Sequence, residues 1–339
     1  MKSISMSTKF NTILKRAVIS SLSLVILMAS ACKKDQPVNQ NSTRSLSFIN
    51  YGSTSAPWQK RPLSVCYVEV NNNDISELGK YTLTNGRKLF DIGIIFAANI
   101  NYNTTTKKAE LFFNPQVSNV LTNFNTKIRP LQDKGIAVLL SVLGNHQGAG
   151  FANFPDSTSA QAFALQLSNA VTTYGLDGID LDDEYAEYGN NGTGNPNSSS
   201  FIYLVTALRK LMPTKIISFY NIGPSSYNSS YNGVTVASKV NYVWNPYYGQ
   251  YFAPYIPGLS NNQLGAAAIE IDPGINQTDI SKATNFAAQT VKDGYGVYLY
   301  YNLTNSDVHT YLSSISNALY GQSTIYTNKP APHWPEQLY

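Results

Sequence analysis

The sequence predicts an α/β fold, a closed (β/α)8 barrel, and three observations carry that expectation. Eight short apolar runs recur at 64 to 70, 91 to 98, 136 to 143, 176 to 184, 215 to 221, 241 to 248, 265 to 271 and 295 to 302. Helical patterns stand between several of them, and strand and helix in alternation imply a parallel sheet that eight repeats can close. Once an N-terminal processing segment and a tether are set aside, about 275 residues remain, a length that suits one large barrel or two small domains. No Pro- or Ser-rich break of linker length divides them.

The helices are read from apolar residues three or four apart. Phe163, Leu167, Ala170, Val171 and Tyr174 precede Gly175, and Phe201, Val205, Leu208 and Met212 precede Pro213. Ile280, Ala283, Ala287 and Val291 precede Gly294, and Val308, Leu312, Ile315 and Leu319 precede Gly321. In each case a helix breaker follows the stripe. Residues 222 to 240 and 249 to 263 are rich in Gly, Pro, Asn and Ser and show no stripe. The expected barrel is therefore irregular, with outer helices missing or replaced by loops after strands 5 and 6. Segment 99 to 114 also lacks a helical period and, with Asn103 to Thr106 as a turn, reads as a hairpin over the barrel mouth. The longest irregular segment, Gly189 to Ser200, directly follows the fourth run and reads as a functional loop.

The N-terminus belongs to targeting rather than to the fold. Lys2, Lys9, Lys15 and Arg16 form a basic region, residues 17 to 31 are mostly apolar, and the stretch closes on Ala29, Ser30, Ala31 and Cys32. At roughly 15 apolar residues it is short for a membrane span. Small residues before a cysteine resemble a bacterial lipoprotein signal with Cys32 as the acylated residue; an ordinary secretory peptide is the alternative. The expected layout is a signal over 1–32, a flexible tether over 33–61, the barrel over 62–325 and a tail over 326–339. Such a tether reaches on the order of 30 Å. The expected location is outside the cytoplasm, as a lipoprotein of the outer membrane or surface of a Gram-negative bacterium, or secreted.

The chain carries 24 Lys and Arg against 20 Asp and Glu. The signal holds four of the basic residues and no acid, so the mature chain is close to neutral. That argues against nucleic acid, and against any hold on membrane other than the lipid anchor. With Cys32 lipidated, Cys66 has no partner and reads as a buried, inert thiol. His146, His309 and His333 lack metal-ligand spacing, so neither metal nor cofactor is expected. A monomer is expected.

Chemistry concentrates in LDGIDLDDEY, residues 176 to 185, where Asp180, Asp182 and Glu184 recur at every second position. In a strand these three share one face, while Ile179 and Leu181 supply apolar cover on the other. Like charges so crowded cannot all ionise, so at least one acid keeps its proton above its usual range, as an acid catalyst requires. A helix would turn Asp182 away from the other two. A calcium loop starting at Asp180 would need Gly and Glu where Tyr185 and Asn191 stand. An edge strand with solvated acids is the remaining bland reading. Glu184 ends the fourth run, where barrels of this kind place catalytic residues.

DGIDLDDE resembles the fourth-strand signature of glycoside hydrolase family 18. SVLGNHQGAGFANFP, DEYAEYGNNGT, IISFYNIGP and VWNPYYG are similar to the family branch typified by endo-β-N-acetylglucosaminidase H, so the likeness runs from about Pro62 to Gly321. It implies a TIM barrel that cuts between the two core N-acetylglucosamines of asparagine-linked glycans, favouring high-mannose and hybrid forms. Glu184 would be the general acid and then the base. Asp182 would orient the substrate's acetamido group, which attacks in place of an enzyme nucleophile. Asp180 would sit behind Asp182 and share or relay its proton.

Asn245 and Tyr247 stand two apart in WNPYY and so share a face. By resemblance Tyr247 would donate its hydroxyl to the acetamido oxygen and Asn245 would hold a neighbouring sugar hydroxyl; ordinary core packing is the alternative. Asn99, Asn145, His146 and Tyr220 fall near strand ends and are candidate glycan contacts. SVLGN replaces the Ser-x-Gly-Gly of chitinases, and YGVYLYYN lacks the Trp on which many chitinases seat the reacting sugar. Both departures lead away from chitin. The rival functions are a chitinase, a sugar-binding lectin on the same barrel and a structural surface lipoprotein. The intact acid set speaks against the last two.

Overall fold

In the computed structural model, residues 62 to 328 are described. The signal over 1–32 with Cys32, the tether over 33–61 and residues 329–339 of the tail lie outside them. Eight parallel strands form the barrel: β1 (Leu63–Glu69), β2 (Ile92–Asn103), β3 (Ala137–Gly144), β4 (Gly178–Asp182), β5 (Ile216–Tyr220), β6 (Tyr242–Trp244), β7 (Leu264–Glu270) and β8 (Val297–Tyr301). Neighbours in sequence are neighbours in the sheet, and β1 pairs with both β2 and β8, which closes it. Each of the eight apolar runs overlaps one strand.

Alternation divides the side chains between two cores. From β1, Leu63, Val65 and Tyr67 fill the barrel interior, together with Ile94, Leu139, Trp244 and Leu299. Cys66 and Val68 face outward into the larger core beneath the helices. Cys66 is a buried free thiol, pushed up in pKa by burial. Each fully buried large apolar side chain contributes about 1.5–3 kcal/mol.

The helices are α1 (Pro115–Thr122), α2 (Phe124–Lys127), α3 (Arg129–Asp133), α4 (Ser157–Tyr174), α5 (Ser200–Leu211), α6 (Ile280–Asp293) and α7 (His309–Tyr320). The Asp156 carboxylate caps α4 by accepting from the Ser159 amide at 2.7 Å, and Gly175 ends it at φ 61°. Its stripe of Phe163, Leu167, Ala170 and Val171 is buried as expected. In α6 the buried positions are Ala283, Ala287 and Thr290, whereas Val291 is 48% exposed and does not belong to the stripe.

The crossovers after β5 and β6 contain no α-helix, only 3-10 turns at Pro224–Tyr227, Val236–Ser238 and Asn261–Gln263 with short strand pairs. The crossover after β1 is equally bare, with one 3-10 turn at Ile75–Lys80, so the irregularity extends further than the sequence reading placed it. After β2 the helical layer is broken into α1 to α3, of which α1 buries only Val117, Val120 and Leu121, with Pro115 at the start of α1 and Pro130 at the start of α3.

β2 runs past the barrel and returns as Lys108–Phe112 in an antiparallel hairpin. Asn103 Oδ1 accepts from the amides of Thr105 at 3.0 Å and Thr106 at 2.9 Å, which shapes the turn. The return strand is fastened to α4 rather than laid across the mouth: Gln166 accepts from the Leu111 amide and donates to the Ala109 carbonyl. At the other end of the chain Thr324–Tyr326 pairs with Tyr81–Leu83, so ordered structure crosses the boundary at 325 expected for the tail. Among the described residues no helix is long and apolar enough to cross a membrane.

Candidate active site

β4 delivers its acids to the mouth as the alternation requires. Asp180 and Asp182 point inward from the strand, with Ile179 and Leu181 in the outer core, and Glu184 stands two residues beyond the last paired position. The chain after β4 is held against β3, because the Gly144 amide donates to the Glu184 carbonyl at 2.9 Å. A Cβ on Gly144 would lie 2.5 Å from that carbonyl and 2.4 Å from the Ala186 nitrogen. Only glycine permits this approach.

Asp180 is fully buried and accepts three hydroxyl bonds, from Tyr67 at 2.8 Å, Ser141 at 2.9 Å and Ser218 at 2.7 Å. Ser141 and Ser218 are its register partners on β3 and β5. The Tyr67 hydroxyl itself accepts from Trp244 Nε1 at 2.9 Å, so four strands brace one carboxylate. Burial pushes Asp180 up to about 6 while the hydroxyls hold it down.

Asp182 is 2% exposed, and its Oδ1 is buried without a hydrogen-bond partner among the described residues. Burial, then the charges of Glu184, Asp180 and Asp183, push it well above the usual carboxylate range. Glu184 is half-buried and raised by burial. A carboxyl set with one orphaned oxygen and one half-open member, each raised above the usual carboxylate range, can donate a proton to a substrate and orient a polar group beside it.

The remaining candidates separate into those at the mouth and those near it. Tyr220 is there: it donates to the Pro246 carbonyl at 2.5 Å, packs edge-on to Tyr67, and burial together with the charges of Asp182 and Glu184 raises its pKa. Asn245 is not at the mouth. It is fully buried, its amide donates to the carbonyls of Gln250 at 3.1 Å and Ala266 at 2.9 Å, and its oxygen accepts from the Tyr247 amide, so nothing is left for a sugar.

Tyr247 is 49% exposed, outside the aromatic cluster. Its neighbour Tyr248 packs with the interior set beside Tyr242 and Trp244, stacks on Tyr301 at 4.7 Å and 16°, and is raised by burial and by Tyr220 and Tyr67. The parity error was legible: Tyr242 and Trp244 are interior and Val243 is exterior, so even numbers face inward.

Asn99 donates to the Gly144 carbonyl at 3.1 Å and Asn145 to Asn101 Oδ1 at 2.9 Å. Both bind the ends of β2 and β3 together. His146, at φ 56°, meets the exposed Glu187 at 2.7 Å and lies on the rim against Tyr185. The sequence reading missed Tyr67, Ser141, Ser218, Tyr248 and Tyr301. Ser141 and Ser218 carried a signal, since each aligns with Asp180 once adjacent parallel strands are placed in register. Glu270, which ends β7 and is pushed up to about 7 by burial, was also missed.

A closed parallel barrel whose fourth strand carries buried acids to its mouth is the framework of a barrel enzyme working by acid catalysis. The chain belongs to glycosyl hydrolases family 18, whose family model matches residues 64–292. An endo-beta-N-acetylglucosaminidase of Flavobacterium sp. (strain SK1022) is 51% identical over 272 residues, 80% of this chain and 85% of that protein. Endo-beta-N-acetylglucosaminidase F1 of Elizabethkingia meningoseptica is 31% identical over 95% of this chain and 97% of its own. Among solved structures, EndoBT-3987 of Bacteroides thetaiotamicron, in complex with Man9GlcNAc2Asn substrate, superposes with a TM-score of 0.70 at 25% identity, covering 82% of this chain and 72% of that one. A chitinase of Rhizomucor miehei shares the fold, at 17% identity and a TM-score of 0.54.

Proposed function

We propose that this chain is an endo-β-N-acetylglucosaminidase that hydrolyses the β-1,4 bond between the two core N-acetylglucosamines of asparagine-linked glycans, with high-mannose and hybrid forms preferred. The observation that carries the mechanism is the orphaned Asp182 Oδ1 beside half-buried Glu184. A buried polar atom left unsatisfied costs about 1–3 kcal/mol, and an acetamido N–H of the reacting sugar would satisfy it.

The acetamido carbonyl oxygen then attacks the anomeric carbon as the glycosidic bond breaks, and Glu184 gives its proton to the leaving oxygen. Asp182 holds the acetamido nitrogen as its positive charge develops. In the second step water attacks the same carbon, Glu184 takes its proton, the ring formed by the acetamido group opens, and configuration is retained. Asp180, held by three hydroxyls, keeps the strand's charge in place rather than passing protons. The Tyr248 hydroxyl takes the part of donor to the acetamido oxygen that the sequence reading gave to Tyr247.

Mass spectrometry of a high-mannose glycoprotein before and after treatment tests this reading. Loss of the glycan with one N-acetylglucosamine left on Asn is expected; an unchanged mass defeats it. The chain is further proposed to act as a monomer and to be exported as a lipoprotein anchored through Cys32, on the strength of the basic, apolar and small-residue pattern before that cysteine. Incorporation of labelled fatty acid that survives in Cys32→Ala would defeat the anchor.

A further inference from the structure

Glu184 lies past the end of β4, so the ladder that fixes Asp180 and Asp182 does not fix it: Asp182, paired with Tyr220, is the last residue in register. Its place depends on what holds residues 183 to 185. On the β3 side the Gly144 amide donates to the Glu184 carbonyl. On the β5 side a side chain makes the tie. Asp183 Oδ2 accepts from the Ser225 amide at 2.8 Å, and Oδ1 accepts from the Tyr188 hydroxyl.

A carboxylate is costly at this position. Asp183 has the outward parity of Ile179 and Leu181, which give apolar side chains to the outer core, and it is 3% exposed. An acid there costs stability that a third aliphatic residue would not, and burial pushes it up to about 6 although both bonds lower it. Turned away from the barrel interior, it has no path for a proton to a sugar at Glu184.

Its two bonds reach three segments of chain. Ser225 belongs to the segment after β5, which meets the Asp183 peptide directly: a Cβ on Gly223, at φ 68°, would lie 2.0 Å from the Asp183 carbonyl oxygen. Tyr188 belongs to the loop after β4, and its hydroxyl also accepts from the Ala152 amide, in the segment after β3, at 3.0 Å. A Cβ on Gly150 would lie 2.3 Å from that hydroxyl. The carboxylate therefore sits where all three segments meet, one peptide from Glu184.

We infer that Asp183 is a positioning residue: it clamps the chain as it leaves β4 and so fixes the Glu184 side chain relative to Asp182 and the bond to be broken. The kinetic consequence rests on the proposed activity. On one glycopeptide, Asp183→Ala should lower kcat at least about tenfold and leave KM within about threefold, because a displacement of about 1 Å can cost about 10² in rate while the sugar contacts stay. Asp183→Asn keeps an oxygen for the Ser225 amide and should return kcat to within about fivefold of the parent, as the loss of a proton donor would not allow. Tyr188→Phe removes one of the two bonds and should lose about threefold or more in kcat, which keeps the test open where the alanine variant does not fold.

Hydrogen exchange of the Gly144 amide, followed by NMR, reads the place of the Glu184 carbonyl without any turnover. It should speed at least about tenfold in Asp183→Ala and stay within about threefold of the parent in Asp183→Asn. A smaller kinetic loss, a loss carried by KM, or Gly144 exchange unchanged in Asp183→Ala overturns the inference. A parent chain whose Gly144 amide responds in this way but which never releases glycan defeats the endoglycosidase reading alone.

Discussion

The wall of the barrel formed by β3 and β4 differs from the wall formed by β5 and β6 in what stands behind it. Behind β4 are α4 and α5, which pack on one another as they carry the chain into and out of the acid strand. Between Tyr220 and Leu264, by contrast, no α-helix intervenes, and Tyr248 reaches the mouth from irregular chain. The acids that cannot all ionise need a rigid strand, since their raised pKa values depend on distance and burial. The tyrosines need only be held near a sugar.

Asp183 joins the two walls: turned outward from the acids, it accepts from the Ser225 amide at 2.8 Å and from the Tyr188 hydroxyl. One acid strand therefore organises the loops on both sides.

The sharpest way to break this comparison is at Glu184. Glu184→Gln should lower kcat by about 10² to 10⁴ and leave glycan binding largely intact. Turnover above roughly a tenth of the parental rate would remove Glu184 from the role of proton donor. Next in size is the support behind the acids. Leu167→Ala, in the fully buried stripe of α4, should cost about 2–5 kcal/mol in chemical denaturation. Val291→Ala, on the exposed side of α6, should stay within about 0.5 kcal/mol.

The loop wall is sharpened by a pair of tyrosine variants assayed on one glycopeptide. Tyr248→Phe should lose at least about tenfold in kcat/KM, and Tyr247→Phe should stay within about threefold. The reverse order would return the role to the exposed residue.

Smallest is the pH dependence of stability. Asp180 and Asp183 at about 6 and Glu270 at about 7 all lie above their unfolded values. Between pH about 4 and 7 the folded chain thus binds more protons than the unfolded one, and stability falls as pH rises through that window. Thermal midpoints should be a few degrees lower at pH 8 than at pH 5; a midpoint that climbs over the interval contradicts the assignment of these buried carboxyls as raised in pKa.

The eight strands, four of the helices and the acid alternation were legible because each is a local period: two in a strand, about 3.6 in a helix, repeated long enough to stand out. The hairpin at Asn103 to Thr106 was legible from its turn residues. The helical layer after β2 was not, because helices of four and five residues have no room for a stripe and that of the eight-residue helix is a single turn, Val117, Val120 and Leu121.

At β6 the strand is three residues long, and that decided the case of Asn245 and Tyr247. So short a strand gives little pattern from which to read its phase, and an error of one residue exchanges the two faces. Tyr242 and Trp244 pointed to the right phase, but only the closed barrel made inward and outward distinct for the residues that follow.

By itself, then, the sequence determined a barrel of eight strands and the common face of Asp180, Asp182 and Glu184, since both follow from spacing along one stretch of chain. Only the tertiary structure decided that Tyr67 reaches Asp180 across the barrel, that Asp182 keeps one oxygen unpaired, and that Tyr248 rather than Tyr247 packs with the interior aromatic set. The physical reason is distance in sequence: Ser141 and Ser218, 39 and 38 residues away, stand in register on the strands next to β4, whereas Tyr67, 113 residues away, reaches Asp180 from β1 only when the barrel closes.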